Sequence, residues 1–161
     1  MKTIRDKFWA VVVIALAIIS GLGQSILAND TYSTTASDST KIQAQIENLH
    51  SLQSDILSGK PTLAFFFYSV ACSCTAARCS IAASAIDSIQ ELNGKNDSIN
   101  YRALDAYLVP EAESLYNLMI MPAVVFFDKG GKEVNRLEWG TNREAIKLLI
   151  EHPEIKQVPI D

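Results

Sequence analysis

The spacing of apolar residues changes along the chain, and each change marks an element. In KIQAQIENLHSLQSDILSGK, from Lys41, the residues Ile42, Ile46, Leu49, Leu52, Ile56 and Leu57 recur mostly at intervals of three and four, which is one face of an amphipathic helix. Ser39 or Thr40 can cap its start and Gly59 its end. PTLAFFFYSV, residues 61–70, is a nearly continuous apolar run, the pattern of a strand buried on both faces. Ile81, Ala82, Ala85, Ile86, Ile89 and Leu92 return to helical spacing and predict a long helix ending near Asn93. INYRALDA (99–106) reads as a second strand, and VPEAESLYNLM (109–119) as a short helix with Pro110 in its first turn. MPAVVFFD (121–128) and EVNRLEWG (133–140) are strands joined by a Lys-Gly-Gly-Lys hairpin turn. Thr141-Asn142-Arg143-Glu144 reads as a capping box opening a last helix that runs to about His152. The order α-β-α-β-α-β-β-α predicts an α/β fold with a mixed central sheet flanked by helices.

The first 28 residues follow a different rule. Lys2, Arg5 and Lys7 precede an apolar stretch from Phe8 onward, a charged region followed by a hydrophobic one. Two readings fit: a signal peptide cleaved near Ala28, or a single-pass membrane anchor across residues 8–28, since ~20 apolar residues span a bilayer. Both export the rest of the chain, to a periplasmic, cell-surface or secreted location, and the second tethers it to the membrane. Residues 29–40, NDTYSTTASDST, then read as a Ser/Thr-rich linker, and 41–161 as the folded domain. The net charge is −4, and no basic stripe follows residue 7, so nucleic acid is not an expected partner.

Export changes the meaning of the cysteines. All three, Cys72, Cys74 and Cys79, fall within YSVACSCTAARCS. Outside the cytosol disulfides form and persist. With an odd number, at least one thiol is free, metal-bound or paired with another molecule. The spacing C-x-C-x4-C matches neither the redox C-x-x-C nor a four-ligand zinc knuckle.

The element order, together with KPTLAFFFYSVAC, MIMPAVVFFDKGGKEVNRLEWG and the capped final helix, resembles the thioredoxin family over roughly residues 41–152. The resemblance implies a thioredoxin-like fold. It also implies a cis proline at Pro122 lying against the active-site cysteine, with Met121 and Pro122 docking substrate. Cys72 falls where the family has its nucleophilic cysteine. The family's second cysteine would fall at Thr75, the aromatic residue before the first at Ala71, and the buried acid of the preceding strand at Phe66. A two-residue insertion would instead put Cys74 in the nucleophile's place.

If a helix starts just after Cys72, its N-terminal N–H groups and dipole favour a thiolate there. In a regular helix Cys74 and Cys79 are turned about 140° apart, and Cys72 and Cys79 are separated by a rise of about 10 Å, so Cys79 pairs with neither. Cys72 and Cys74 can bridge only as a small strained ring, which would be readily reduced.

Three functions follow. The first is thiol–disulfide exchange with protein or small-molecule thiols and disulfides, needing no cofactor, with Cys72 as nucleophile and Cys74 as resolver. The second is a Cu(I)-type site or metallochaperone using Cys72, Cys74 and Cys79, with Met121 as a thioether ligand and Met119 near in sequence. The third is a redox-inactive interaction module in which the cysteines are small apolar residues. Whether the chain is an enzyme rests on that choice. Among other residues, His50 reads as a surface histidine, Trp139 as packing on the last strand, Asp105 as a strand end or general acid, and Arg78 as a solvated helix residue or a promoter of thiolate character.

Overall fold

The computed structural model describes residues 36–93, 98–139 and 141–156. The expected signal peptide or anchor at 1–28 lies outside the described residues. Among those residues no helix is long and apolar enough to cross a membrane.

One strand with two apolar faces organises the domain. β1 (Thr62–Phe67) is buried along almost its whole length. Alternate side chains leave a strand on opposite sides. Ala64 and Phe66 therefore face one layer with Leu49 and Leu52 of α1 (Ala36–Ile56). Leu63 and Phe65 face the other, with Ala82, Ala85, Ile86 and Ile89 of α2 (Ser73–Asn93). β2 (Asn100–Asp105), α3 (Glu111–Tyr116), β3 (Ala123–Phe127), β4 (Glu133–Glu138) and α4 (Arg143–Glu151) complete the chain. The sheet order is β2-β1-β3-β4. β1 runs parallel to β2, and β3 is antiparallel to both β1 and β4, so the sheet is mixed as the element order predicts. Ile146 and Leu149 of α4 join α2 on the second face.

Several boundaries differ from expectation: β1 ends at Phe67 rather than near residue 70, and α3 spans Glu111–Tyr116 within the expected 109–119, closed by Asn117 in the left-handed region at φ 50°. α1 begins at Ala36, so residues 36–40, read as linker, are helical. Hydrophobic periodicity marks only the stretch that packs; the first turn here is polar and is supported by Asp38 near the helix N-terminus and by its 3.8 Å ion pair with Lys41. Leu57, read as part of the apolar stripe, lies past the helix end and is exposed, just before Gly59 takes up φ +81°. The cap of α4 is Asn142, whose side-chain oxygen accepts the N–H of Ala145 at 2.9 Å; Thr141, expected to cap, is buried. In the β3–β4 hairpin Gly131 has φ +77°, and a Cβ there would meet the Ile56 carbonyl oxygen at 2.9 Å, so this position needs glycine.

Candidate active site

Five residues carry the chain from the end of β1 to the start of α2, and two buried or half-buried groups hold that loop. Asp105, 2% exposed at the end of β2, accepts the N–H of Ser69 and of Tyr107, each at 3.1 Å. Both bonds fall on Asp105 Oδ1, so Asp105 fixes the loop from the end of β2. The Tyr68 hydroxyl donates to the Glu113 carboxylate at 2.7 Å and ties the loop to α3. That hydrogen bond, with burial and the negative charge of Glu113, pushes the Tyr68 pKa up to about 12.

Cys72 ends the loop as the N-cap of α2. Its carbonyl accepts the first helical hydrogen bond, from Ala76 N–H at 2.9 Å. Its sulfur lies 2.8 Å from the Cys74 sulfur and 3.3 Å from the Thr75 hydroxyl. Cys72 and Cys74 are both free and exposed. The two sulfurs are near enough to be joined by oxidation with loss of two hydrogens, in the small strained ring that a C-x-C bridge forms. The Cys72 pKa falls from its ordinary 9.0 to about 7. The Cys74 thiol contributes most, then the Thr75 hydroxyl and the Thr75 N–H, with the Cys74 N–H adding a smaller part. The thiol and hydroxyl stabilise the thiolate as side-chain donors, and the two N–H groups add to them because a helix N-terminus presents N–H groups with no intrahelical acceptor.

Cys79 stands apart. It is 7% exposed and lines a cavity of about 410 Å³ with Phe65, Phe67, Ala83 and Ile86, which neither Cys72 nor Cys74 lines. Among the described residues no group of three or more His, Cys, Asp or Glu side chains is arranged to hold a metal ion. The Met121–Pro122 bond is cis. Phe66 pairs with Ala123, so Pro122 lies at the sheet end from which the Cys72 loop departs. Both Met121 and Pro122 are buried, and Met121 packs in the core cluster with Leu118 and Phe66. The exposed side chains of that turn are Met119, 78% accessible, and Ile120.

Trp139 departs from expectation. β4 stops at Glu138, and Trp139 is half exposed with φ +76°, a conformation that bulky residues avoid. Its N–H reaches the Pro122 carbonyl at 3.4 Å, and the Arg78 guanidinium lies 3.5 Å above its ring. Arg78 and Trp139 are far apart in sequence, and no local pattern announces their contact. His50 is exposed on α1.

No family model matches the chain, and no curated protein does. Solved structures do match it. Mitochondrial thioredoxin 3 of Saccharomyces cerevisiae, in its oxidised form, superposes with a TM-score of 0.53 at 14% identity, covering 64% of this chain and 88% of its own. The thioredoxin of Malassezia sympodialis gives 0.54 at 13% identity, covering 66% and 85%. Oxidised thioredoxin of Plasmodium falciparum gives 0.53 at 21%, covering 66% and 92%. The chain has a thioredoxin-like fold. At these identities the likeness concerns the backbone. Thr75, where the sequence pattern expects the second cysteine, keeps a hydroxyl near the Cys72 sulfur, and Cys74 supplies the second thiol from one residue earlier.

Proposed function

We propose that this thioredoxin-like domain exchanges thiols and disulfides with exported proteins, with Cys72 as nucleophile and Cys74 as resolver. The observation that carries the reading is the 2.8 Å approach of two exposed thiols at a helix N-terminus that favours the Cys72 thiolate. The Cys72 thiolate attacks one sulfur of a substrate disulfide. The substrate S–S bond breaks, a mixed disulfide forms, and the departing substrate thiolate takes a proton from solvent. The Cys74 thiol loses its proton, attacks the Cys72 sulfur and releases the second substrate thiolate. Two electrons pass to the substrate, and a Cys72–Cys74 disulfide is left for an external dithiol to reduce. Run backwards, the same steps oxidise a substrate dithiol.

Protein substrates suit the site because exposed apolar side chains adjoin it in the chain: Val70 two residues before Cys72, and Met119 and Ile120 just before the Met121–Pro122 docking turn. The charged-then-apolar N-terminus supports export, by secretion or by a tether through residues 8–28. A Cu(I)-carrying site using Cys72, Cys74 and Cys79 is the second reading. The neighbouring exposed thiols favour it, and the position of Cys79 in a separate cavity weighs against a three-sulfur version.

The test is reduction of a protein disulfide such as that of insulin, coupled to a dithiol. Cys72→Ser abolishes turnover, Cys74→Ser accumulates the mixed disulfide, and Cys79→Ser retains turnover. Equal activity in Cys72→Ser and the parent would sink the assignment.

A further inference from the structure

We propose that Arg78 and Trp139 form a carboxylate-binding subsite that selects acidic peptide segments for the thiol pair. This rests on the exchange reading for its consequence, and on separate observations for its existence. Cys74, Arg78 and Ile81 follow one another at intervals of four and three along α2, so they share one helix face, with Arg78 about 6 Å further along the axis than Cys74. The Arg78 guanidinium carbon lies 3.5 Å over the centre of the Trp139 ring. Its Nη1 is buried and has no hydrogen-bond partner.

Among the described residues two arginines are paired with carboxylates and two, Arg78 and Arg143, are not; of these Arg78 is the one whose guanidinium sits on an indole and buries an unpartnered Nη1. Arg102 is paired with Asp55, and Arg136 with Glu133 and Glu138. Arg78 holds no carboxylate among the described residues, although the whole chain carries net charge −4. A guanidinium has five N–H donors in a rigid fork that matches a carboxylate. Stacking on an indole holds that fork in one plane, which lowers the entropy lost on binding.

Trp139 is held where stacking requires it. Its φ of +76° is unfavourable for a bulky side chain, and such conformations persist where surrounding structure enforces them, often at functional sites. Its N–H on the Pro122 carbonyl ties it to the same turn that carries the exposed Met119 and Ile120. Arg78, Ile81, Trp139, Thr141 and Asn142 surround a hollow of about 180 Å³. Water occupies about 30 Å³ per molecule, so the hollow admits a carboxylate with a methylene or two. The lining adds the polar side chains of Thr141 and Asn142, the latter with its oxygen already accepting Ala145 N–H, and the apolar side chain of Ile81. A carboxylate could come from an Asp or Glu side chain or from a peptide C-terminus; both present the same group.

The experiment uses the reduced full chain and short peptides whose single cysteine is joined to thiopyridine, a neutral chromophore. The peptides carry Glu, Gln or Lys beside the cysteine, each with a free or amidated C-terminus. Thiopyridone release reports formation of the mixed disulfide. The Glu peptide reacts about 3- to 10-fold faster than the Gln peptide, the Lys peptide is slowest, and added salt narrows the spread. Preference for Glu in amidated peptides identifies a side-chain carboxylate; preference for the free C-terminus in Gln peptides identifies the terminal one. In Arg78→Met the Glu/Gln ratio falls to about one, with the Gln rate as internal reference. Should that variant lose its Gln rate through misfolding, Arg78→Lys, which keeps charge but not the fork, is read for an intermediate ratio. A ratio of one in the parent, or an unchanged ratio in Arg78→Met, overturns the subsite while leaving the exchange reading in place. In parallel, labelled cysteine-free Glu and Gln peptides are titrated into Cys72→Ser by fluorescence anisotropy. Arg78-dependent preference for Glu there, without any thiopyridone release by the parent, would keep the subsite and reject the exchange activity.

Discussion

Thiolate character at Cys72 can be turned into a rate. With its pKa lowered to about 7, Cys72 is about half ionised at pH 7, against ~1% for a thiol at the ordinary 9.0. That is a ~50-fold gain in thiolate. A less basic thiolate is intrinsically a weaker nucleophile; with a Brønsted coefficient of about 0.4–0.5, two units of pKa cost about 8-fold. The net expectation is reaction about 6-fold faster than an ordinary exposed thiol at pH 7, and about 8-fold slower well above pH 9, where both are fully ionised. The two rate profiles therefore cross. The assay is alkylation by iodoacetamide across pH, with fragment-ion mass spectrometry of the shared tryptic peptide to follow Cys72 separately from Cys74. The Cys72 profile inflects near pH 7. Cys74→Ala removes the largest contributor and moves the inflection up; Thr75→Val removes the next and moves it up by less. An inflection near 9 in the parent chain, or no movement in Cys74→Ala, refutes the reasoning.

Other consequences are measurable by unfolding and activity assays. The Cys72 thiol titrates near 7 when folded and near 9 when unfolded, so its stabilising contribution is complete above about pH 9 and is lost as pH falls through 7. The stability of the parent minus that of Cys72→Ser therefore rises between pH 7 and 9; a flat difference contradicts the lowered pKa. Asp105→Ala strands the N–H groups of Ser69 and Tyr107 and costs about 1–3 kcal/mol in denaturant unfolding, with slower exchange because the Cys72 loop loosens. Phe66→Ala empties the fully buried centre of one core face and costs about 3–5 kcal/mol; a loss under about 1 kcal/mol would contradict the described packing.

Most of the fold is legible in the sequence because burial imposes periodicity. β1 reads as a two-faced strand since both of its faces are covered, and α2 shows its helical stripe because only one side meets the sheet. The start of α1 is hidden for the converse reason: residues 36–40 lie ahead of the packed stripe and show no apolar pattern. The one-residue shift at the last helix reflects competition between adjacent capping residues, Thr141 and Asn142, that sequence pattern alone does not rank. At the site, the adjacency of Cys72 and Cys74 follows from local spacing, and the separateness of Cys79 from helical geometry. The Asp105 hydrogen bond to the loop and the Arg78–Trp139 stack depend on contacts between distant segments, and periodicity carries no trace of those.

The most direct test of the account is the thiol inventory of the chain exported to an oxidising compartment and purified without reductant or chelator. Intact mass is read under native and denaturing conditions, and a tryptic map follows alkylation. Cleavage after Arg78 releases Cys79 on a different peptide from Cys72 and Cys74, so the pairing is unambiguous. The account predicts a mass lower by two hydrogens, Cys72 joined to Cys74, and Cys79 as the single thiol that alkylates after unfolding. A disulfide that includes Cys79, three reduced thiols that stay reduced in oxidised glutathione, or a native mass raised by copper that is lost on denaturation would contradict it.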